Sequence, residues 1–471
     1  MEKIEVTRLN VSQTVDREDL LMTFSKKSNQ LSLVPVDFVA GNGGYACRRW
    51  NINHASPVGE AVGNLDYLRN LPGMLGLGCY LVDKNHGRRK LDPTNHYKFV
   101  GGEPAKLDGS MGEYMWGWGC TWYYAEWTEG DYYYEAASLK PIPGRMNYRI
   151  PVASTSALGV SVVDRTTNEL VSVINNSARY RGGNNDPSLD SKFNTQLGRA
   201  ATSLNAETFG SYARKKGDGW EGYWYAHAAI IGALTRIILG TRDIQQAFNA
   251  SKDKNGLYQG GLGAGISGAG SWWGEQYKYY PFIPTDAGVD LADKCGTASI
   301  AVKGPSGTLQ TVSVPCFFGL KNFYGYMGRW ERGRLINKVA GGAADIYVLP
   351  RLYSSYSMNS LAGMVKAGQA PAAKIASQWE YTKVLSMHHL AHIPVLTGGT
   401  SSTYYADGYY NDNAASGLRV PYVGGNAGAG GNDGCEYLSV SAGVAASFAS
   451  YGSPLCEAAE DWDTTPFLVS A

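Results

Sequence analysis

The sequence predicts an α+β fold in which strands and irregular segments outweigh a small number of helices. Glycine occupies 59 of 471 positions, a frequency typical of chains with many turns and close backbone approaches. Aromatic residues make up 12% of the chain, and several stretches alternate them with polar residues, as half-buried strands do. Residues 220–239 instead keep apolar side chains at helical spacing. A chain of this length is expected to form two or three domains.

The N-terminal part is predicted to be a polar arm followed by a β-rich region. Residues 1–30 are polar and charged, and we expect an arm or a small attachment element there. Residues 31–180 are rich in glycine and aromatic residues, most densely at 109–135, where Trp and Tyr recur at strand spacing. Residues 64–71 have apolar side chains at helical spacing, and the Pro-Gly pair that follows predicts the end of a short helix.

The middle of the chain carries the clearest helix and several further strands. Residues 150–176 have the pattern of two strands joined by a turn, and residues 180–203 are polar enough for a loop or linker. The helix of residues 220–239 is expected to end at Gly240, because glycine suits the left-handed position after a helix. Glycine-rich residues 251–274 predict a loop. Further strands are predicted at residues 298–302, 309–314 and 346–352, and the apolar residues 384–390 lead into the C-terminal segment.

Charge, hydropathy and cysteine usage disfavour several classes of protein. The net charge is +1 without a basic cluster, so we expect no nucleic-acid partner. The chain begins without the apolar stretch of a secretory signal and contains no run of eighteen apolar residues, so we expect synthesis in a host cytoplasm and no membrane insertion. The seven cysteines are widely spaced, which favours buried free thiols. Cys435 and Cys456 are the pair that an oxidising medium could join.

No pattern in the sequence predicts a catalytic, metal or cofactor site. His388 and His392 have the spacing that could hold zinc on a helix, but the acid of a metalloprotease motif is missing, and ordinary packing is favoured. The glycine run at 261–270 lacks the Lys-Ser/Thr of a phosphate loop. Acidic residues 457–463 predict a solvated face, with a calcium contact as the alternative. We therefore predict no catalytic residue, no metal and no cofactor, and a protein that is not an enzyme.

A cluster of aromatic residues within residues 109–135 allows two interpretations. At strand spacing such a cluster is typical of a packed core or a subunit interface, which we favour. A platform for stacking sugars is the alternative. The cluster comprises Trp116, Trp118, Trp122, Tyr123, Tyr124 and Trp127.

The C-terminal segment has the composition of a binding surface. Residues 397–416 have the sequence TGGTSSTYYADGYYNDNAAS, and residues 423–437 have the sequence VGGNAGAGGNDGCEY. Tyr supplies rigid amphipathic contact area, and Ser, Gly and Asn supply adaptable hydrogen bonds, as in antibody loops. A poorly packed surface loop is the alternative, but structureless loops of this length are usually functional. The segment therefore predicts recognition rather than catalysis.

Three stretches of the sequence together resemble one protein family. They are ALTRIILGTRDIQQA at 233–247, VPCFFGLKNFYGYMGRWERG at 314–333, and LRVPYVGGNAGAGGNDG at 418–434 with YGSPLC at 451–456. They resemble the C-type-lectin-like domain of the formylglycine-generating-enzyme type, in the form used by variable proteins of diversity-generating retroelements. In that family a helix ends in a GTRxxQ-like sequence, a Gly-Asn-Gly-Trp stretch packs beneath the ligand face, and a final glycine-rich segment carries the diversified positions. The second feature is matched by Gly319, Asn322, Gly325 and Trp330.

The resemblance implies a C-type-lectin-like domain at residues 200–471, with a variable segment at about 400–456, behind a β-rich region for attachment or trimerisation. From Ile393 to Cys456 the chain has no Lys, Gln, Met or Trp, and Glu436 is the only Glu. Adenine mutagenesis of Asn codons, the mechanism that the family implies, cannot produce those five residue types. The enzymes of the family act through cysteines near the end of the fold, but Cys435 and Cys456 match no catalytic pattern, and we do not expect that oxidation.

These implications predict a receptor-binding adhesin of a phage tail that recognises a variable bacterial surface protein or glycan. We expect a homotrimer in the virion tail, whose N-terminal region contacts other tail proteins. Two alternatives stay open: a structural fibre or baseplate protein without receptor contact, and a glycan-active enzyme, whose carboxylate pair cannot be located in the sequence. The predicted ligand-binding residues are Tyr404, Tyr405, Asp407, Tyr409, Tyr410, Asn411, Asn413, Asn426, Asn432, Asp433, Tyr437, Ser439 and Ser441.

Overall fold

The computed structural model shows a β-rich fold, in which strands account for 38% of the residues and helices for 13%. The predicted α+β class is therefore wrong. Strands extend through both halves of the chain, and several of them pair with partners distant in the sequence. The described residues are 20–25, 30–35, 44–191, 195–248, 281–303, 307, 309–352, 354–375, 378–427 and 429–470.

The first part of the chain forms mainly antiparallel strands. A hairpin pairs β1 (Leu20–Ser25) with β2 (Gln30–Pro35). The strands that follow are β3 (Ala46–Asn51), β4 (Glu60–Gly63), β5 (Gly78–Val82), β6 (Arg88–Asp92), β7 (Asn95–Phe99), β8 (Glu113–Gly117), β9 (Trp122–Glu129), β10 (Tyr132–Ser138), β11 (Met146–Ile150), β12 (Ala153–Ser156), β13 (Val162–Asp164) and β14 (Glu169–Val171).

The first helix, α1 (Leu65–Leu75), is longer than the sequence predicted. It begins after Asn64, whose side chain accepts a hydrogen bond from the Tyr67 N–H, and it ends at Gly76 with a φ of 64°. The predicted stop at Pro72 is wrong because this proline lies in the last turn. There it removes only one helical hydrogen bond.

Within the described residues, the middle of the chain supplies the other α-helices. They are α2 (Ala206–Arg214), α3 (Tyr225–Leu239) and the single-turn α4 (Ile244–Ala247), and β15 (Trp220–Glu221) precedes α3. The predicted central helix is confirmed from residue 225 onward, and Gly240 follows it in the left-handed conformation, with a φ of 74°.

The second half of the chain adds a three-stranded sheet and a ten-stranded sheet. The three strands predicted at residues 298–302, 309–314 and 346–352 are each confirmed by an overlapping strand. The strands are β16 (Gly296–Lys303), β17 (Leu309–Phe317), β18 (Leu320–Lys321), β19 (Gly328–Trp330), β20 (Arg334–Lys338), β21 (Ala344–Val348), β22 (Val365–Ala370), β23 (Trp379–His388), β24 (Ala391–Thr397), β25 (Gly408–Tyr410), β26 (Gly417–Val423), β27 (Leu438–Gly443), β28 (Tyr451–Gly452), β29 (Cys456–Ala458) and β30 (Phe467–Leu468).

The last strands of the chain complete sheets that the first strands begin. One sheet has the order β30-β11-β9-β10-β3-β4, and another has the order β15-β29-β12-β8-β5-β6-β7. The ten-stranded sheet runs β22-β21-β20-β26-β27-β25-β23-β24, with β19 paired to β26 and β28 paired to β19. The predicted regions before and after residue 200 therefore share sheets rather than meeting at a simple linker.

Helix α3 is the centre of the fold. All of its residues except Ala228 are buried, and it packs against β3 and β10 on one side and β24 on another. The end of α3 thus lies where the six-stranded sheet meets the ten-stranded sheet. Its last turn carries Arg236, the one charged residue of the helix.

Four members of the aromatic cluster at 109–135 form part of the core. Trp116, Trp118, Trp122 and Tyr124 are all fully buried. The Trp118 ring lies 6.0 to 6.2 Å from the rings of Trp116, Trp122 and Trp462 in edge-to-face geometry. The packed-core interpretation is confirmed for these four residues.

Some predictions concern residues outside the described part of the chain. They include the arm at residues 1–19 and the glycine run at 261–270. Within the described ranges, none of the helices has the length and apolar character needed to cross a bilayer.

Candidate functional site

The predicted variable segment is built around two short parallel strands. β25 pairs with β27 in the register Tyr409–Leu438 and Tyr410–Ser439. The loops of residues 398–407 and 424–437 precede these strands and lie at one end of the pair, whereas residues 411–416 follow β25 at the opposite end. The predicted ligand-binding residues, which are up to about forty positions apart in the sequence, therefore lie in two groups at opposite ends of the strand pair and not on one face.

More than half of the predicted ligand-binding residues are packed inside the protein. The tyrosine rings cover apolar neighbours, and most of the polar groups bond to the backbone or lie within the core. A ligand cannot contact these side chains in this conformation, apart from the Tyr405 ring, which reaches the cleft described below. The buried residues are Tyr405, Asp407, Tyr409, Asn411, Asp433, Tyr437 and Ser439.

The hydrogen bonds of three of these residues explain their burial. The Asp407 carboxylate accepts the backbone N–H of Glu436 at 2.7 Å. The Tyr409 hydroxyl and the Asn411 amide each donate to the carbonyl of Pro371 at 2.8 Å. These side chains hold the loops to the strands, so their polar character serves the fold and not a surface.

The other six predicted residues are half-buried and divide between the two ends of the strand pair. Tyr404, Asn426 and Asn432 belong to the end formed by the loops before β25 and β27. Asn413 and Ser441 lie at the opposite end, where the Ser441 hydroxyl accepts the N–H of Asp412 at 2.7 Å. The sixth, Tyr410, lies within β25, and the centre of its ring is 4.9 Å from the centre of the Trp379 ring.

The first end carries an exposed turn on a well-bonded loop. Thr400, Ser401 and Ser402 are exposed. The Thr403 hydroxyl accepts the Thr400 N–H at 2.7 Å, and Ser401 packs closely against Gly431 of the neighbouring loop. Gln245 of α4 supports that neighbouring loop, because its amide donates to the carbonyls of residues 430 and 433.

A cleft of about 170 Å³ adjoins this loop and is bounded by β9, β10, β23 and residues 404–405. The N–H of Tyr404 donates to the carbonyl of Ala55 at 2.7 Å, which fixes the loop against the N-terminal part of the chain. Tyr404 itself has a left-handed φ of 55°, a conformation that costs energy for a bulky residue and often marks a functional position. The cleft is lined by Ile52, Glu126, Trp127, Thr128, Tyr133, Arg242, Lys383, Val384, Leu385, Ser386, Tyr404 and Tyr405.

Arg242 forms the cationic wall of the cleft. Its guanidinium carbon lies 4.5 Å from the ring centre of Tyr405, 4.7 Å from that of Trp50 and 5.2 Å from that of Tyr133. Cation–π contacts of this kind hold a guanidinium in place without neutralising its charge. Only 6% of the residue is exposed.

Lys383 and Tyr404 form the rim of the cleft. The Lys383 ammonium lies 5.0 Å from the centre of the Tyr404 ring. Both residues are half-buried, and Ile52 and Val384 add exposed apolar surface beside them. The rim therefore combines an aromatic ring, a positive charge and apolar walls.

Among the described residues, Glu126 is the only carboxylate that lines the cleft. Its carboxylate accepts the hydroxyl protons of Tyr133 at 2.6 Å and Tyr124 at 2.9 Å and the N–H of Met387 at 3.0 Å. Burial raises the pKa of Glu126 above its usual value, and the nearby Glu135 acts in the same direction. The protonated form of Glu126 can donate a hydrogen bond to a ligand.

An ionic network lies beneath the cleft. Arg236 donates to both carboxylate oxygens of Glu135, at 2.7 and 2.8 Å, and it also pairs with Glu436. The Glu436 carboxylate lies 3.1 Å from the imidazole of His392. Burial favours the neutral acid, but His392 and Arg236 outweigh burial and lower the pKa of Glu436 to about 2.

Two clusters have side chains of the types that bind metals. In the first, atoms of Glu126, Glu135 and His392 lie within 4.8 Å of one another. The Arg236 guanidinium already contacts Glu135 and also the Nε2 atom of His392, at 3.2 Å. A protein cation thus takes the place that a metal ion would fill.

The second cluster comprises Cys79, His96 and Asp293. Both imidazole nitrogens of His96 are engaged, one with Asp293 at 2.9 Å and the other with the Tyr114 hydroxyl at 2.6 Å. Burial lowers the pKa of His96 and raises that of the Cys79 thiol. The ammonium of Lys90 lies 3.3 Å from Asp293. A neutral thiol, a bonded imidazole and a nearby cation make this cluster a structural network.

The other residue patterns from the sequence have structural explanations. His389 and Leu390 form the tight turn between β23 and β24, with φ values of 51° and 57°. The zinc spacing of His388 and His392 therefore falls on a hairpin and not on a helix. Cys435 and Cys456 are free thiols and do not form the disulfide that an oxidising medium could give.

The cleft uses residues that the sequence did not single out. Arg242 lies in the GTRDIQQ stretch quoted for the resemblance, where a charged residue follows the helix-ending glycine. Trp127 belongs to the aromatic cluster, but Glu126 and Lys383 carry no local signal. In comparisons with known proteins, no protein-family model and no curated protein matches the chain.

Proposed function

We propose that the protein is a receptor-binding adhesin that attaches a phage tail to a ligand on a bacterial surface. The observation that carries the proposal is the position of Tyr404. This residue of the predicted variable segment stands at the rim of a cleft lined by aromatic and cationic side chains. The phage-tail context is supported by the sequence resemblance.

In the loop of residues 398–407, the exposed side chains can change in sequence while the fold is retained. The exposed hydroxyl of Thr400 bonds to those of Ser402 and Thr403 within the same turn, whereas Asp407 and Tyr409 anchor the segment from inside. Sequence change at the exposed turn leaves these anchors intact. Binding sites are commonly carried on such loops above a rigid scaffold. A trimer would add avidity to weak single contacts.

Cell binding of the labelled intact protein, measured by flow cytometry on the host bacterium, tests the proposal. Replacing both Tyr404 and Lys383 with Ala is expected to weaken binding at least about tenfold, because an aromatic anchor at a binding site contributes roughly 2 kcal/mol or more. Tyr97→Ala is the matched control, since Tyr97 is 48% exposed on β7, outside the cleft. Equal binding by the double variant and the wild type would contradict the proposal.

Sequencing provides a second and independent test. The coding region for residues 393–456 is sequenced in a population of the source, together with any nearby near-copy. Substitutions confined to adenine positions, and concentrated in the codons of exposed residues such as Thr400, Ser401 and Ser402, are the expected result. A uniform sequence without a template copy would contradict diversification, and the protein would then be interpreted as a binding or structural protein of fixed sequence.

Glu126 favours a second candidate function, a glycan-active enzyme. Its raised pKa suits a general acid, and atoms of Glu126 and Glu135 lie within 4.8 Å. However, Glu135 is fully buried and clamped by Arg236, so it cannot approach a sugar or a water molecule as the second carboxylate. Release of reducing sugar from host surface glycans, abolished by Glu126→Gln, would establish the enzyme instead.

A further inference from the structure

The cleft contains a positive charge that the protein does not neutralise. Arg242 is 6% exposed, and within the described ranges no carboxylate forms an ion pair with it. Its Nε atom is buried without a hydrogen-bond partner. Burying an unpaired charged group is unfavourable, and the three rings around the guanidinium compensate only in part. A bound anion would supply the missing partner.

The other charged groups of the cleft strengthen its preference for an anion. Lys383 adds a second cation at the rim, and it too has no ion-pair partner among the described residues. Glu126 opposes them, but its carboxylate is held by three hydrogen bonds from Tyr124, Tyr133 and Met387. The cations therefore outnumber the free anionic groups that face the cleft.

The remaining lining groups match a sugar ring. Thr128 and Ser386 present hydroxyls, which both donate and accept hydrogen bonds as sugar hydroxyls do. Tyr404 presents its ring at the rim, and Ile52 and Val384 form apolar walls. A volume of about 170 Å³ is smaller than the roughly 300–1,000 Å³ of pockets for drug-sized ligands, so one ring fits and the rest of the ligand extends outward.

We infer that the cleft binds one acidic ring of a bacterial surface saccharide, whose anionic group pairs with the guanidinium of Arg242. A planar guanidinium matches carboxylate and phosphate groups with two parallel hydrogen bonds. This inference rests on the proposed function and names the class of its ligand. The anionic group is a carboxylate, sulfate or phosphate on the sugar.

An acidic peptide is the competing occupant, and the shape and chemistry of the cleft favour the saccharide. An Asp or Glu side chain would pair with Arg242 but has no hydroxyl groups to bond to the exposed Thr128 hydroxyl and no sugar ring to cover the apolar walls. Stable recognition of a protein also needs a contact area on the order of 1,000 Å² or more, far beyond a cleft that admits one ring.

Binding of acidic saccharides by the intact protein tests the inference. Oligosaccharides ending in a hexuronate, a sialic acid, a sulfated hexose or a phosphorylated hexose are titrated against their neutral counterparts at matched ionic strength, with tryptophan fluorescence as the readout. At least one acidic probe is expected to bind about tenfold or more tightly than its neutral counterpart. The subset that binds identifies the anionic group.

Variants connect that preference to Arg242. Arg242→Met keeps the packing against the three rings and is expected to abolish the acidic preference, whereas Arg242→Lys retains part of it. Lys383→Met, at the rim, is expected to weaken binding of the acidic saccharide several-fold. It replaces Arg242→Met as the test if that variant does not fold. Arg89→Met is the matched control, because Arg89 also covers an aromatic ring, that of Phe99 at 3.5 Å, but lies outside the cleft.

The outcomes separate this inference from the proposed function. Equal binding of acidic and neutral saccharides, an unchanged preference in Arg242→Met, or binding of a poly-glutamate peptide but of no saccharide would each overturn the inference. If cells still bind the protein in these cases, the adhesin proposal stands without it. If acidic saccharides bind but host cells do not, the adhesin proposal fails and the saccharide site stands.

Discussion

The Arg236 network yields the sharpest prediction about stability. Arg236 is 3% exposed and pairs with Glu135 and Glu436, which are 0% and 8% exposed. Arg236→Met keeps most of the side-chain volume but leaves Glu135 without its guanidinium and Glu436 with only His392 as a partner. Breaking a buried ion pair by removing one partner costs about 3–5 kcal/mol. We expect the free energy of unfolding to fall by that amount at pH 7.

The depressed pKa of Glu436 gives the pH dependence of the network that this carboxylate forms with His392 and Arg236. In the folded protein this pKa is lowered from 4.5 to about 2, and a shift of this size corresponds to about 3 kcal/mol. Because the folded-state pKa is depressed, the contribution is fully present above pH 4.5. It is lost as the pH falls from 4.5 toward 2.

Urea denaturation followed by circular dichroism, at pH 7 and at pH 4, measures the loss. Protonation relieves the unpaired carboxylates of the variant, so the difference between Arg236→Met and the wild type is expected to be smaller at pH 4. Arg89→Met is the control, since it removes an exposed pair with Glu103 that is worth about 1 kcal/mol or less. A loss below 1 kcal/mol at pH 7, or an equal loss at both pH values, would refute the reasoning.

Three further substitutions test other parts of the structure. Asp243 is buried, and burial raises its pKa from 3.8 to about 6. Its charge therefore lowers the free energy of unfolding above pH 6, and this penalty fades as the pH falls toward 3.8. Asp243→Asn keeps the cap of α4 and should raise the free energy of unfolding at pH 7.5, but not at pH 4, by on the order of 2 kcal/mol. Trp118→Ala should reduce the free energy of unfolding by about 3–5 kcal/mol in urea denaturation, because it empties the centre of the tryptophan cluster; a loss under 1 kcal/mol would contradict the packing described. Gly425→Ala should lower the thermal midpoint, because Gly425 has a φ of 70° and an added Cβ would lie 1.8 Å from Asp433; an unchanged midpoint would show that the loop can move.

Local sequence patterns correctly predicted those elements that form through contacts between residues close together in the sequence. The period of apolar residues along α3 predicted the helix, and Gly240 predicted its end, because helical hydrogen bonds join residues four positions apart. Gly319, Asn322 and Gly325 all have left-handed φ values, as turn residues of these types suggest. These features need no distant partner.

The fold class and the site depended on contacts between distant residues. The sequence alone determined the central helix, the turns and the presence of a tyrosine- and glycine-rich segment. Only the tertiary structure decided that the chain is β-rich, that Tyr409 and Tyr437 are packed inside, and that Tyr404 meets Arg242 and Lys383 at one cleft. The physical reason is that strand pairing, burial and charge pairing are set by whichever distant residues come into contact, and composition does not specify those partners.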